Sequence, residues 1–184
     1  MNYATIKKTD VANGPGVRVS LFVSGCTHHC KGCFNSEAWD FHYGQAYTEE
    51  TEQEILQALV PDYIRGLSLL GGEPMEPENR GAVLSLVKKV REQYPQKTIW
   101  CYTGYHFDRD LLRWMEEGDP VIKERLPKSD RGTSHLNRPH ASAAFGCDRG
   151  WRIYRGEEES AAGLPGIGES ENTGCTVVFK RKMW

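Results

Sequence analysis

The sequence predicts an α/β fold with a parallel β-sheet that is open or partly curled into a barrel. Three short apolar runs, each followed by glycine, alternate along the chain with segments of helical periodicity. This alternation is typical of βαβ units, in which consecutive strands run parallel and helices cover the sheet. At 184 residues, the chain is long enough for one domain with a sizeable core.

The three predicted strands are short apolar segments bounded by glycines. They are Arg18 to Val23, Gly66 to Leu70 and Thr98 to Thr103. In parallel sheets, ligands bind at the carboxyl ends of the strands, which share one rim. We therefore expect the segments that follow the three strands to form a single site.

Helices are predicted between the strands and after the last one. Thr51 and Glu54 have capping-box spacing at the start of the first helix. In the second helix, apolar residues from Val83 to Val90 recur at i, i+3, i+4 and i+7, and Pro95 stops the helix. Asp108 to Glu117 is predicted to form a third helix with its apolar residues on one face.

The chain changes character after Gly118. Nine glycines occur from Gly118 to Gly174, among Pro, Ser, Arg and Glu residues, and only Thr176 to Phe179 resembles a strand. We therefore predict a core domain over residues 1–118 and a divergent Gly/Arg-rich segment over residues 119–184, which we expect to be loosely ordered.

Charge and composition narrow the classes of function. The formal net charge is -2 and the pI is about 6.3, so we expect no nucleic-acid partner. The N-terminus lacks the apolar stretch of a signal peptide, and the chain has no apolar run long enough to span a membrane. We therefore expect a cytoplasmic protein without a membrane partner.

Three of the six cysteines lie close together after the first predicted strand: Cys26, Cys30 and Cys33, spaced C-x3-C-x2-C. In a reducing cytosol, such a cluster more often binds metal or carries out redox chemistry than forms disulfides. Thiolates are soft ligands that suit iron–sulfur clusters or zinc. Three thiolates on one loop can hold three irons of a four-iron cubane and leave the fourth iron open for chemistry.

A structural zinc site is the alternative at the same cysteines, with His28, His29 or Cys147 as a further ligand. Zinc ribbons usually supply their ligands in two well-separated pairs, whereas these three cysteines are contiguous. We therefore expect His28 and His29 to be exposed loop residues rather than ligands. Cys101 alternates within an apolar strand and is expected to be a buried small hydrophobic residue.

The cysteine spacing, with the aromatic Phe34 after the last cysteine, resembles the signature of the radical S-adenosylmethionine superfamily. GGEP at Gly71 to Pro74, after the second predicted strand, resembles the second motif of that superfamily. Three longer stretches resemble activating proteins of the anaerobic ribonucleoside-triphosphate reductase: Asn13 to Cys26, Cys33 to Phe41 and Thr98 to Tyr105. The resemblance covers about the first 118 residues.

This resemblance implies a partial (β/α) barrel and a 4Fe-4S cluster on the three cysteines, with S-adenosylmethionine bound at the open iron. By similarity, Gly32 and Phe34 contact the nucleoside end of the cosubstrate, and Cys33 between them is also a cofactor-binding residue. The methionine end is lined by Gly71, Gly72, Glu73 and Pro74. The implied reaction is one-electron cleavage of the sulfonium to methionine and a 5'-deoxyadenosyl radical, which takes a hydrogen atom from a glycine of the reductase. A low-potential donor such as flavodoxin would supply the electron. We assign no general acid or base.

Two other functions share the same cysteine loop. In the first alternative, the chain activates a different glycyl-radical enzyme, of the pyruvate formate-lyase type. In the second, it is a non-catalytic iron–sulfur module without an open iron. The family pattern normally continues with a further apolar strand, which we do not find after Pro120. We hypothesise that the residues beyond about Gly118 are an unrelated or frame-altered replacement, and that the missing strand leaves one edge of the sheet exposed.

Overall fold

The chain is described from a computed structural model that covers residues 1–106, 110–111, 113–114, 152–155 and 175–179. Its strands are β1 Asn2–Asp10, β2 Val17–Val23, β3 Gln45–Ala46, β4 Ile64–Gly71, β5 Thr98–Thr103, β6 Arg152–Arg155 and β7 Cys175–Phe179. Its helices are α1 Glu49–Ala58 and α2 Pro77–Gln93, with a short 3-10 turn at Ser36–Trp39. The predicted α/β class is therefore confirmed.

The seven strands form one sheet in the order β3-β1-β2-β4-β5-β7-β6. Pairing is parallel from β2 to β6, whereas β1 is antiparallel to both β2 and β3. The prediction of a wholly parallel sheet is therefore wrong at its N-terminal edge. Strand β1 was not predicted, because only two of its nine residues are buried and exposed residues such as Lys7 and Lys8 interrupt any apolar run, as is common in antiparallel strands.

The three predicted strands are confirmed as β2, β4 and β5, the last with the predicted bounds. The predicted start of the first helix is wrong. Helix α1 begins at Glu49, after Thr48, whose hydroxyl accepts a hydrogen bond from the Thr51 N–H at 3.3 Å. Thr51 is therefore the third residue of the helix, and its hydroxyl in turn accepts from the Thr48 N–H.

Helix α2 confirms the predicted apolar periodicity, and it ends two residues before Pro95. Of the predicted third helix, residues 110–111 and 113–114 are helical, and the others lie outside the described residues. None of the helices in the described part of the chain is long and apolar enough to cross a membrane.

The hydrophobic core lies between one face of the sheet and the two helices. Alternate residues of the central strands point into it, since successive strand residues face opposite sides. The main contributors are Val19, Leu21, Leu67, Leu69 and Ile99 from the strands and Ile55, Leu59, Val83, Leu86 and Val90 from the helices. This packing fixes the strands whose carboxyl ends carry the predicted site.

A buried arginine ties the same strands together near their amino ends. Arg18 is fully buried, and its guanidinium donates to the Ser68 hydroxyl at 2.7 Å and the Thr98 hydroxyl at 2.8 Å. It also donates to the carbonyl oxygens of Pro15, Leu67 and Thr98. Burial lowers the pKa of Arg18 to about 10. The side chain remains a cation at neutral pH, held by acceptors on β4 and β5 and by the Pro15 carbonyl before β2.

The C-terminal segment contributes two strands to the sheet. β7 confirms the strand predicted at Thr176 to Phe179, whereas β6 was not predicted. Because β7 pairs with β5 from Ile99↔Cys175 to Thr103↔Phe179, the expectation of an exposed β5 edge is wrong. The rest of the predicted loosely ordered segment lies outside the described residues.

Candidate active site

Three loops meet at the carboxyl ends of β2, β4 and β5. The Gly72 N–H donates to the Val23 carbonyl at 2.7 Å, and the Glu73 N–H donates to the Gly25 carbonyl at 2.8 Å. The Gly104 N–H, just after β5, donates to Glu73 Oε2 at 2.7 Å. The predicted convergence of the cysteine loop, the GGEP turn and the end of β5 on one rim is therefore found.

The two glycines of the turn allow its close contact with the cysteine loop. A Cβ on Gly72 would lie 2.6 Å from the Gly25 carbonyl oxygen and 2.8 Å from that of Ala38. Gly71 has a φ of +111°, a conformation that L side chains rarely adopt. The close neighbour of Gly72 is thus the backbone that leads into Cys26.

The three cysteines of the loop differ in burial. Cys26 is 8% exposed, and its N–H donates to the Trp39 carbonyl at 3.2 Å. Burial raises the pKa of the Cys26 thiol to about 11. Cys30 and Cys33 are half-buried, and the Cys33 N–H donates to the Cys30 carbonyl at 3.1 Å. These cysteines and Cys101, which is buried as predicted, are all free thiols.

Glu76 holds the residue that follows Cys26. Its Oε1 accepts hydrogen bonds from the Thr27 N–H at 2.8 Å and the Thr27 hydroxyl at 2.6 Å. Its Oε2 accepts from the Tyr105 hydroxyl at 3.1 Å. Burial and the charge of Glu76 raise the pKa of Tyr105 to about 12, so this hydroxyl keeps its proton at neutral pH.

The two histidines of the loop differ from each other. His28 is half-buried, with its Nε2 3.3 Å from Glu73 Oε2 and its ring 4.6 Å from the ring of Tyr105, so the prediction of an exposed side chain is wrong for it. His29 is exposed as predicted, and its ring lies 4.6 Å from the ring of Trp39. Each histidine therefore packs against a neighbouring element.

The Glu73 carboxylate is 2% exposed and serves as an acceptor for several donors of the chain itself. Its Oε1 accepts from the Thr103 hydroxyl at 2.7 Å and from the Met75 N–H at 2.9 Å, while Oε2 faces Gly104 and His28. In this arrangement Glu73 joins the GGEP turn, the end of β5 and the cysteine loop. An interaction with the cosubstrate ammonium group remains a prediction.

The other predicted cosubstrate residues divide into open and buried positions. Gly32 is exposed, with a φ of +73° and no atom within 4 Å of the position that a Cβ would take, and Phe34 is 92% exposed. Pro74, the last residue of the GGEP turn, is buried. Open space therefore lies on the Cys33 side of the loop, and dense packing lies on the Cys26 side.

Comparison with known proteins identifies related chains. The family described as "4Fe-4S single cluster domain" matches residues 12–125. The anaerobic ribonucleoside-triphosphate reductase-activating protein of Enterobacteria phage T4 is 42% identical over 130 residues, 70% of this chain and 83% of that protein. The Vibrio cholerae protein of the same name is 51% identical over 107 residues, 57% of this chain and 69% of its own. The Escherichia coli K12 protein is 44% identical over 123 residues, with coverages of 66% and 80%.

The chain belongs to the family of anaerobic ribonucleoside-triphosphate reductase-activating proteins. The resemblance drawn from the cysteine loop and its flanking stretches is thus confirmed, as is a 4Fe-4S cluster domain.

The donor set of this activating-protein chain fits an iron–sulfur cluster. Within the described residues, no group of three or more His, Cys, Asp or Glu side chains is arranged around a single metal ion. The thiolates of a cubane bind separate irons, so they need not surround one ion. Three buried polar atoms beside the loop also lack a partner in the part of the chain that the structure describes: Ser24 Oγ, Trp39 Nε1 and Asn79 Oδ1. Such atoms call for a partner from outside the chain, such as water or a ligand.

Sequence reasoning missed Glu76, Thr27 and Tyr105 as site residues. Glu76 directly precedes Pro77, at a position where a side chain usually caps its own helix, so nothing local indicates that it reaches the cysteine loop. Tyr105 lies in one of the stretches that resemble the activating proteins, but its hydrogen-bond partner, Glu76, is 29 residues away in the chain.

Proposed function

We propose that this chain is a radical S-adenosylmethionine enzyme that generates a glycyl radical on the anaerobic ribonucleoside-triphosphate reductase. The observation that carries the proposal is the contact of the C-x3-C-x2-C loop with the GGEP turn and the end of β5. Relatives named as activators of this reductase, 42% and 51% identical to this chain, support the choice of partner.

In this proposal Cys26, Cys30 and Cys33 hold a 4Fe-4S cluster through three of its irons. When bound, the cluster supplies the electron that cleaves S-adenosylmethionine, and the resulting 5'-deoxyadenosyl radical takes a hydrogen atom from the reductase. The chain contributes thiolate ligands, a shaped rim and exclusion of water. Cys26 is nearly inaccessible to solvent, which protects that side of the cluster.

The cosubstrate would bind across the rim, as the family resemblance implies. The open position of Gly32 and the exposed ring of Phe34 suit a nucleoside, because an aromatic face offers a packing surface. The backbone of Gly71, Gly72 and Pro74 would line the methionine end, with Glu73 behind it. The parallel strands from β2 to β6 suit a partial barrel around this site. No side chain is assigned a proton transfer.

A cytosolic location and a low-potential electron donor such as flavodoxin complete the proposal. The donor must be strongly reducing, because a sulfonium accepts an electron only from a low-potential centre.

The test combines the anaerobically reconstituted chain with the reductase, S-adenosylmethionine and reduced flavodoxin. We expect 5'-deoxyadenosine and the paramagnetic signal of a glycyl radical on the reductase. Cys26→Ser, Cys30→Ser and Cys33→Ser should abolish both products, whereas the matched control Cys101→Ser should retain both.

Two outcomes would contradict the proposal. A fully loaded cluster that yields no 5'-deoxyadenosine would indicate a non-catalytic iron–sulfur module. Formation of the nucleoside with a radical on a pyruvate formate-lyase type enzyme, and none on the reductase, would indicate the other glycyl-radical partner.

A further inference from the structure

The side chain of Glu76 turns away from the helix that it precedes. Glu76 is the N-cap of α2, and its carbonyl oxygen accepts hydrogen bonds from the N–H groups of Asn79 at 2.9 Å and Arg80 at 2.8 Å. Its carboxylate makes no capping bond, although such a bond commonly stabilises a helix start. At 2% exposed, this carboxylate is buried and committed to other partners.

Those partners come from the two other loops of the rim. Oε1 accepts both the N–H and the hydroxyl of Thr27, the residue after Cys26, and Oε2 accepts the hydroxyl of Tyr105, which follows β5. A carboxylate can accept from all three donors at once, because it has two oxygens with several lone pairs and no proton to donate. Glu76 therefore connects the cysteine loop to the end of β5.

The backbone of Cys26 is thereby held on both sides. On the N-terminal side, the Cys26 N–H donates to the Trp39 carbonyl at 3.2 Å. On the C-terminal side, the Thr27 N–H donates to Glu76 Oε1 at 2.8 Å. On the other side of the loop, Gly32 has no atom within 4 Å of its Cβ position. The loop is thus anchored where it begins and open where it ends.

We propose that Glu76 is a positioning residue that presets Cys26 for its iron through Thr27. This inference rests on the proposed function, since it needs the three cysteines to be cluster ligands. Among the hydrogen bonds of the described residues, Glu76 makes none to a cysteine sulfur, and it holds Cys26 in place through the backbone and hydroxyl of Thr27. The Cys33 side then adapts to the cluster as it is inserted. Outer hydrogen bonds of this kind typically change metal affinity tenfold to a hundredfold.

The two hydrogen bonds from Thr27 to Glu76 form a tether, and the variants are chosen to remove either its acceptor or one of its donors. Glu76→Ala removes both acceptor oxygens, and Thr27→Val removes the hydroxyl donor while keeping the shape of the side chain. Thr27→Ser is the matched control, because it keeps the hydroxyl. Glu76→Gln is the conservative variant: its amide oxygen can still accept both bonds from Thr27, while its NH2 group would donate to Tyr105.

The first measurement is the rate at which the reconstituted cluster is lost to an iron chelator. We expect Glu76→Ala and Thr27→Val to lose it about tenfold faster than the unmodified chain, and Thr27→Ser and Glu76→Gln to stay within about threefold. The double variant Glu76→Ala/Thr27→Val should lose the cluster no faster than Glu76→Ala alone, because both changes remove the same tether. Equal rates for all variants, or additive effects in the double variant, would overturn the proposal.

The second measurement uses the metal-free protein and separates this proposal from the proposed function. We expect slow hydrogen exchange of the Thr27 amide in the unmodified apoprotein and at least tenfold faster exchange in Glu76→Ala, with the β4 amides unchanged. Fast exchange in the unmodified chain would overturn the tether even if the enzyme is active. A chain that shows the protected amide but never cleaves S-adenosylmethionine would instead contradict the proposed function. If Glu76→Ala does not fold, the comparison of Thr27→Val with Thr27→Ser decides.

Discussion

Replacing Gly72 with alanine tests the contact between the GGEP turn and the cysteine loop. The new Cβ would lie 2.6 Å and 2.8 Å from the carbonyl oxygens of Gly25 and Ala38, well inside van der Waals contact. Both obstacles are backbone atoms, so a change of side-chain rotamer cannot relieve the overlap. The backbone of Gly72 itself is outside the left-handed region, so alanine adds no conformational strain there.

The expected loss of stability follows from this overlap. Overpacking by one methyl group costs about 1–3 kcal/mol when the surroundings must shift, and the midpoint of thermal unfolding should fall by about 2–4 °C for each kcal/mol in a chain of this size. The shift would separate the turn from the segment that leads into Cys26. We therefore also expect a lower iron content after reconstitution.

Gly32→Ala is the matched control, since it adds the same methyl group in the cysteine loop, which the GGEP turn contacts. Its φ of +73° makes alanine strained by about 1–2 kcal/mol, but no atom lies within 4 Å of the new methyl group. We expect a similar thermal shift with nearly full iron content. The assays are thermal unfolding of the apoprotein and iron analysis of the reconstituted protein. Normal iron content in Gly72→Ala, or equal losses of iron in the two variants, would refute the reasoning.

Three further predictions concern residues away from the cluster. Cys101→Ala should leave iron content unchanged and cost about 1 kcal/mol of unfolding free energy for the deleted sulfur; a loss of iron would contradict the assignment of Cys101 to the core. Arg18→Met should destabilise the chain by about 2–4 kcal/mol in urea unfolding, because buried carbonyls lose their donors, and unchanged stability would show that this network contributes little. Burial acts to raise the pKa of Asp10, but the neighbouring Ser20, hydrogen bonds from Asn13 and the Ala12 N–H, and the charge of Lys7 outweigh it, so this pKa is lowered from 3.8. Its contribution to stability is then present above that pH and lost as pH falls through the lower folded-state value, so the deficit of Asp10→Asn against the unmodified chain in urea unfolding should be full at pH 7 and disappear in acid; a deficit independent of pH would contradict it.

The central strands could be predicted because their signal is local. β2, β4 and β5 are buried apolar runs, and each of them packs its alternate residues against α1 and α2. β1 could not be found in the same way. Only Tyr3 and Asp10 of its nine residues are buried, and its place is set by pairing with β2 rather than by its own composition.

In the candidate site, too, local features could be predicted from the sequence and long-range contacts could not. The spacing of the three cysteines is a local pattern, and it led to the correct family. The contacts of Glu76 join residues that are 49 and 29 positions apart, so they arise only when three strand ends meet. The close packing of Gly72 is a long-range contact of the same kind, because the position of its Cβ is occupied by the backbone carbonyls of Gly25 and Ala38.

Paramagnetic resonance of the reduced, reconstituted protein, with and without S-adenosylmethionine, tests the central claim most directly. If one iron of the cluster has no ligand from the protein, the cosubstrate will bind there and change the spectrum, and the account predicts such a change. An identical spectrum in the presence of saturating cosubstrate would contradict it, as would a purified metal centre that proves to be zinc.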